Sequence, residues 1–266
     1  MQKISASLRN TIRSLATSKG RRETGWFMTE RTKNVHDLLG SKFNLRYLVA
    51  TSAWFENHSD LISGDAICLL ATSSDMERLT TLNTPPDVIA VFDKPAGERT
   101  SSLDTIVSSA KDNLILACDN VQDPGNMGTI IRLADWFGVR TILAGEGTVD
   151  IYNPKVVISS MGSIGRVEVV PCRLGDVLSQ ASRTKVNIWG TFLNGTNIYE
   201  TVSSRNATGI VVMGNEGRGI SDDVAKYISH RISIPCYNPS SDHAESLNVA
   251  MATAITLAEF RRVRAL

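Results

Sequence analysis

The carboxyl-terminal half of the chain repeats one arrangement, in which an apolar run of strand length is followed or closed by a turn. Three such turns carry unusual polar residues: PGNMGTIIRLAD (124–135), VMGNEGRG (212–219) and ISIPCYNPSSDHAESLNVA (232–250). Turns that follow parallel strands open at the carboxyl edge of the sheet, where ligands bind in open α/β proteins. The arrangement therefore predicts an α/β fold with a ligand site at one edge of its sheet.

The alternation of strands and helices indicates a mostly parallel sheet covered by helices on both faces. Its predicted strands are 114–118, 141–144, 167–170, 186–189, 210–213 and 232–234. A last helix is predicted to begin near Ser246. Its apolar face is predicted to comprise Leu247, Met251, Ala254, Ile255 and Ala258.

The first 95 residues predict a separate, small α/β sandwich. Helices are expected near 4–18 and 31–40, strands at 45–50, 66–71 and 88–92, and a strand leading into a helix at 25–39. The polar stretch KPAGERTSS (94–102) is typical of a linker. The predicted organisation is a domain at 1–95, a linker at 96–112 and a second domain with its own core at 113–266.

Positive charge is concentrated at the amino-terminal end. The 266 residues carry a formal net charge of +1, whereas the first 50 hold ten Lys or Arg residues against three acidic ones. A basic end on a neutral chain predicts a surface for a polyanion, although a solvated charged helix explains the pattern equally well. The residues assigned to this surface are Arg9, Arg13, Arg21, Arg22 and Lys33.

Cysteine spacing and hydropathy limit the class of protein. The four cysteines lie far apart with no metal or redox spacing, which predicts a reduced, cytoplasmic protein without a metal site. No apolar run approaches the ~18 residues of a membrane span, so no membrane partner is expected. Residues 1–22 lack acids and mimic a mitochondrial transit peptide, but Ile4, Leu8, Ile12 and Leu15 also fit an ordinary amphipathic helix.

Taken singly, the three turns have simple structural explanations. Arg132 interrupts an apolar helix pattern and could be a surface residue paired with Asp135. The glycines of 214–219 could form only a turn, or could leave backbone amides facing a ligand, and Glu216 within it is expected to be at least half-buried with partners. Ser246 fits a helix N-cap, whereas Asn248 inside a helix would be unfavourable and suggests a polar task.

In combination, the turns resemble the SpoU (TrmH-like) RNA 2′-O-ribose methyltransferases of the SPOUT class. Asn126 and Arg132 match the family's N-x-G-x-x-x-R, residues 214–219 match G-x-E-G-x-G, and residues 246–249 match S-L-N-V. Two departures stand out, because Cys236 replaces a usual methionine and the loop 237–245 is longer than the common form. Residues 27–39 resemble the family's substrate-binding domain more loosely.

The resemblance implies a carboxyl-terminal deep trefoil knot, a homodimer, and S-adenosyl-L-methionine as the cofactor for methylating an RNA ribose, with ribosomal RNA favoured. The implied catalytic residues are Arg132, Asn126, Glu216, Ser246 and Asn248. The implied cofactor-binding residues are Thr191, Phe192, Gly214, Asn215, Gly217, Ile234, Cys236 and Leu247. Because a guanidinium is effectively always protonated, Arg132 is expected to grip the target phosphate rather than to act as a base.

Three other functions remain open from the sequence. A transfer RNA methyltransferase would share these catalytic motifs, whereas a catalytically inactive RNA-binding protein would keep the fold and lose catalysis. The presence of all five catalytic residues disfavours the inactive protein. A nucleotide-dependent oxidoreductase fits only the alternation of strands and helices, and no dinucleotide fingerprint follows any predicted strand.

Overall fold

A computed structural model describes residues 2–58, 67–95, 102–238 and 244–265. The chain divides into two compact units. The first unit comprises Met1–Glu98 and Asp150–Arg166, and the second comprises Arg99–Val149 and Val167–Leu266. Within the described ranges, no helix combines the length and apolar character needed to cross a membrane.

The first unit is built on a mixed sheet with the order β1-β4-β3-β5-β2. Its strands are β1 (Gln2–Lys3), β2 (Trp26–Glu30), β3 (Leu45–Ala50), β4 (Ile67–Leu70) and β5 (Val88–Asp93). Its helices are α1 (Ala6–Ser14), α2 (Ser18–Thr24), α3 (Thr32–Leu39), α4 (Ser52–Asn57), α5 (Ser73–Leu79) and α8 (Pro154–Ser159). The predicted strands and the strand leading into a helix at 25–39 are confirmed within the described residues, which do not include residue 66.

The single helix predicted over 4–18 is instead two helices, α1 and α2. The break arises because Thr17 is extended and its side chain accepts a hydrogen bond from the Gly20 backbone N–H, which makes it the N-cap of α2. The amphipathic pattern itself is confirmed, since Ile12 and Leu15 are fully buried in the core of the first unit. These residues are therefore part of a folded domain.

The second unit contains an all-parallel sheet with the order β11-β9-β10-β6-β7-β8, which agrees with the mostly parallel sheet predicted from the sequence. Its strands are β6 (Leu114–Cys118), β7 (Thr141–Ala144), β8 (Glu168–Pro171), β9 (Ile188–Asn197), β10 (Gly209–Met213) and β11 (His230–Ser233). Its helices are α6 (Leu103–Ser109), α7 (Pro124–Trp136), α9 (Leu174–Arg183), α10 (Ile198–Thr201), α11 (Asp222–Ala225) and α12 (Val249–Ala265).

The predicted linker is too long at its carboxyl end. Residues 96–101 lie outside the described residues, but residues 102–112 are part of the second unit. The Ser102 side chain accepts a hydrogen bond from the Thr105 backbone and caps α6. Ile106 and Val107 of this helix are buried in the core beside α9. Ser102, interpreted from the sequence as part of the linker, is thus the N-cap of a helix.

The face of α12 that packs inward is the opposite of the predicted one. Met251 is 52% exposed and Ala258 is exposed, whereas Leu257 and Phe260 are fully buried. The helix is apolar on more than one side, so periodicity alone could not select the buried stripe. The core-facing stripe packs in the second unit, where α12 contacts α7.

Residues 150–166 pack in the first unit, although the sequence places them inside the predicted second domain. Helix α8 packs on β2, and the ring of Tyr152 lies 4.8 Å from that of Phe27. Arg21, only 2% exposed, donates from Nε to Asp150 at 2.8 Å and from a terminal nitrogen to the Leu15 carbonyl at 2.8 Å. A fragment of residues 113–266 would therefore leave this segment without its packing partners.

We expect Arg21→Met to lower the free energy of unfolding by about 2–4 kcal/mol, because it leaves Asp150 and buried carbonyls without their donor. Urea denaturation of the full chain measures this. Arg22→Met is the matched control, since Arg22 is exposed, and it should change stability by less than about 0.5 kcal/mol. Equal effects of the two variants would contradict a structural role for Arg21.

Candidate functional site

The order of the parallel sheet brings the carboxyl ends of β9, β10 and β6 side by side. Helix α7 begins directly after the β6 edge because Asp123 is extended and its Oδ1 accepts from the Asn126 backbone N–H at 2.8 Å. Pro124 occupies the first turn, where its missing N–H costs nothing. The motif 124–135 therefore starts at the sheet edge, as predicted.

The turn after β10 is closed by its own backbone. Asn215 and Gly219 exchange two backbone hydrogen bonds of 2.9 and 3.0 Å. The Asn215 Oδ1 accepts from the backbone amides of Gly217 and Arg218 at 3.0 and 3.1 Å. The amides of Gly217 and Arg218 are thus used inside the turn, which favours the simpler of the two interpretations that the sequence left open for them. Asn215 also donates from Nδ2 to the Asn120 carbonyl at 2.8 Å, which ties the turn to the end of β6.

Three side chains from the three motifs form one hydrogen-bonded chain. Asn126 donates from Nδ2 to Glu216 Oε1 at 3.1 Å and accepts at Oδ1 from Asn248 Nδ2 at 3.0 Å. The same Glu216 oxygen also accepts from the Asp123 backbone at 3.4 Å. Glu216 has the partners that were predicted for it, but the predicted burial is wrong: it is exposed at the tip of its turn.

Asn248 has a further structural role, because it is the N-cap of α12. Its Oδ1 accepts from the backbone N–H groups of Ala250 and Met251 at 2.9 and 3.4 Å. The helix begins at Val249, so the predicted start and cap at Ser246 are wrong. Asparagine is among the best N-cap residues, and the apparent conflict with helix propensity disappears. Ser246 is exposed and makes no hydrogen bond to the described residues.

Arg132 lies apart from this hydrogen-bonded chain. It is exposed on α7 and makes no hydrogen bond or ion pair with any residue that the structure describes, so the pair considered with Asp135 does not form. It shares one side of the helix with Trp136, four residues later, which is 83% exposed. The structure therefore leaves the guanidinium available to an external group.

The first predicted cofactor residues lie where β9 bulges away from β11. The register passes from Arg231 opposite Gly190 to Ile232 opposite Thr196, so residues 191–195 loop out of the ladder. Thr191 donates to the Val212 carbonyl at 3.4 Å, which holds the start of this loop against β10. The ring of Phe192 is half-buried, with the Arg231 guanidinium carbon 3.5 Å from its centroid.

The remaining predicted cofactor residues differ in their exposure. Ile234 is half-buried after β11, and Leu247 and Cys236 are exposed. Gly214 admits no side chain, because a Cβ there would lie 2.3 Å from the Gly219 carbonyl carbon. Residues 239–243 of the loop 237–245 lie outside the described residues. None of the described residues forms a cluster of His, Cys, Asp or Glu able to hold a metal ion.

Sequence reasoning missed two aspartates of this edge. Asp119, 7% exposed, accepts at Oδ2 from the Ser221 backbone at 2.7 Å and so anchors the segment that follows the glycine-rich turn. Asp123 caps α7, as described above. The signal was the polar string DNVQD placed directly after a buried strand, which resembles a simple turn when read alone.

A parallel sheet with these three loops at one edge is the architecture of a SpoU-class RNA methyltransferase. Residues 113–258 match the SpoU rRNA Methylase family, and residues 10–90 match the MRM3-like substrate binding domain. The chain belongs to the SpoU rRNA methylase family, which confirms the resemblance seen in the sequence.

Relatives match over nearly the full length of the chain. The 23S rRNA (guanosine(2553)-2′-O)-methyltransferase RlmP of Bacillus subtilis is 29% identical over 249 residues, 94% of each protein. The structure of a TrmH-family protein from Porphyromonas gingivalis has a TM-score of 0.84 and 39% identity, covering 97% of this chain and 98% of that one. An AdoMet-bound rRNA methyltransferase from Sinorhizobium meliloti has a TM-score of 0.80 and 28% identity, covering 98% and 97%.

We expect Cys236 to be the cysteine alkylated fastest by iodoacetamide and to be protected by S-adenosyl-L-methionine. Cys236 is exposed, whereas Cys118 is buried. Burial, with smaller contributions from Glu216 and Asp119, raises the pKa of Cys118 to about 12 and keeps it an unreactive thiol. Peptide mass spectrometry measures both rates. Rapid alkylation of Cys236 that is indifferent to the cofactor would remove it from the cofactor site.

Proposed function

We propose that this chain transfers a methyl group from S-adenosyl-L-methionine to a ribose 2′-hydroxyl of RNA, and that this RNA is ribosomal. The observation that carries the proposal is the hydrogen-bonded chain of Glu216, Asn126 and Asn248, which joins all three family motifs in one unit. Support for ribosomal RNA comes from relatives named as rRNA methyltransferases, one of them similar over 94% of this chain.

The cofactor would be held by the loops after β9, β10 and β11. The exposed or half-exposed apolar surfaces of Phe192, Ile234 and Leu247 suit an adenine, and the absence of a side chain at Gly217 leaves room for a ligand to approach the backbone. When bound, S-adenosyl-L-methionine supplies a methyl group already activated by its sulfonium.

We further propose that the loops after β9, β10 and β11 form a deep trefoil knot. Support is the family to which the chain belongs and the close backbone approach of β9 and β11 at Gly195, where a Cβ would lie 2.4 Å from the Ile232 carbonyl carbon.

The chain's own task is then to position the ribose and to make its hydroxyl easier to deprotonate. Arg132 carries a permanent charge without a partner among the described residues, which suits it to grip the target phosphate and to lower the hydroxyl's pKa. The hydrogen bonds that join Asn126 to Glu216 and Asn248 keep the three motif loops next to one another. Ser246, exposed and without a hydrogen bond to the described residues, is available to the ribose.

We propose that the protein is a homodimer whose contact includes α7 and α12. These helices pack together, and each carries an exposed large apolar residue: Trp136 is 83% exposed and Met251 is 52% exposed. Large apolar side chains exposed on neighbouring elements are candidates for a protein interface. Arg132 lies on the same side of α7 as Trp136, so the active site would lie near the subunit contact.

The RNA-binding surface of the first unit is proposed to include Arg9, Arg13, Arg22 and Lys33. Arg13, Arg22 and Lys33 are exposed, Lys33 with Asp37 at 3.2 Å, and Arg9 is paired with Asp75. Arg21 does not belong to this set, because it is buried and bonded to Asp150.

We propose that the enzyme acts in the cytoplasm, since all four cysteines are free thiols, as a reducing compartment requires.

The proposed activity is tested by titration with S-adenosyl-L-methionine in a calorimeter, followed by transfer of a tritiated methyl group to purified ribosomal or transfer RNA. Incorporation into ribosomal RNA at a 2′-O-methyl position is the expected result. Incorporation into transfer RNA alone would favour the alternative substrate. RNA binding without methyl transfer would show that the protein is a catalytically inactive RNA-binding member of the fold.

We expect Arg132→Ala to lower the rate of methyl transfer about 100-fold or more while cofactor affinity stays within about threefold, because a contact made mainly in the transition state is lost. Single-turnover kinetics and calorimetry separate the two quantities. Arg140→Ala is the matched control, as Arg140 is another exposed arginine of the second unit. A comparable loss of cofactor affinity would show that Arg132 belongs to the cofactor site.

We expect Met251→Asp to convert the dimer to a monomer, since it places an unpaired charge in an apolar contact. Sedimentation equilibrium at micromolar concentration measures the change. Tyr199→Asp provides the control, because Tyr199 is also an exposed large side chain of the second unit, 43% exposed, but lies on α10. A wild-type monomer, or a Met251→Asp dimer as tight as the wild type, would rule out this contact.

A further inference from the structure

The first unit contains a cavity that no family motif explains. It is open to solvent on one side and has a volume of about 340 Å³, at the end of the sheet where β2 and β3 begin and β5 ends. Two aromatic rings, three cations and one carboxylate contribute to its wall: Trp26, Phe43, Lys42, Arg46, Lys94 and Asp93. A volume near 300 Å³ is at the lower end of small-ligand sites, so the cavity suits a single compact group rather than a duplex.

Arg46 is directed towards this cavity by a β-bulge. Leu45 pairs with Phe92 and Tyr47 with Val91, so Arg46 is an extra residue in β3. Bulges commonly re-aim a side chain at a functional position. Here the Arg46 guanidinium carbon lies 4.8 Å from the ring centroid of Trp26, and its Nε donates to Asp93 at 2.7 Å.

The guanidinium is thus held against an indole and fixed by a carboxylate, although Arg46 itself is 41% exposed. Two more cations lie beside aromatic rings: the Lys42 Nζ is 5.6 Å from the Phe43 centroid, and the Lys94 Nζ is 5.2 Å from the Tyr152 centroid. Proteins bind unstacked RNA bases by stacking them on aromatic rings or on the guanidinium plane of an arginine, and they bind the phosphates with cations.

We propose that this cavity binds one unpaired nucleotide of the RNA substrate, with its base stacked on the Arg46–Trp26 pair and its phosphate contacting Lys42 and Lys94. Asp93 acts as a positioning residue that orients the guanidinium. The proposal rests on the proposed function, since it requires an RNA substrate. It assigns recognition of a base to the first unit, in addition to the phosphate contacts proposed for the basic residues of its helices.

The test measures fluorescence anisotropy of a labelled, unstructured ten-nucleotide oligoribonucleotide with the full chain. Arg46→Ala and Arg46→Lys should each weaken binding about tenfold, because both lose the plane on which a base stacks and Lys keeps only the charge. Arg78→Ala, which removes an exposed arginine of the same unit outside the cavity, should leave the affinity within about twofold. Trp26→Phe should retain most of the affinity that Trp26→Ala loses.

An abasic strand of equal length carries the same phosphate charges but has no bases, so it distinguishes base stacking from charge attraction. The Arg46→Lys defect should vanish on the abasic strand, and equal defects on both strands would overturn the base site. Full activity and affinity of Arg46→Ala would also overturn it while leaving the proposed methyl transfer intact. Failure of the wild-type chain to bind any RNA or to transfer a methyl group would overturn both proposals.

Discussion

The arrangement of the candidate site depends on the carboxamide of Asn126. It donates to Glu216, 90 residues away, and accepts from Asn248, 122 residues away. A carboxamide offers both a donor and an acceptor, so neither a carboxylate nor an alanine could keep both bonds. Because Asn248 also caps α12, the same bond fixes where the last helix begins. One side chain thus links three loops.

This bridge is possible only because the parallel sheet has already aligned the loops. Met213 lies opposite Cys118 in the ladder, so the turn after β10 and the start of α7 leave the sheet at the same level. The backbone bond from Asp119 to Met213 extends that alignment by one residue. Side-chain bonds at the edge then refine a geometry that backbone pairing has set, which is how rigid elements position a functional site.

The first unit depends on a segment contributed from within the methyltransferase sequence. Asp150–Arg166 is held there by the buried Arg21 and by the ring of Tyr152 against Phe27. A buried charge is tolerated only when it is paired and hydrogen-bonded, which explains why Arg21 has three acceptors in contact with it. The substrate-binding unit and the catalytic sequence therefore do not separate cleanly at one point in the chain.

The sequence by itself determined the parallel α/β sheet and the three motif loops, because strand length, turn residues and motif spacing are local properties. It also identified Asn126, Glu216 and Asn248, although not the bonds between them. Only the tertiary structure decided that Arg21 is core, that the predicted apolar side of α12 is exposed, and that Arg46 faces an aromatic cavity. Burial and hydrogen bonding depend on which distant residues come to lie together, and no local pattern records that.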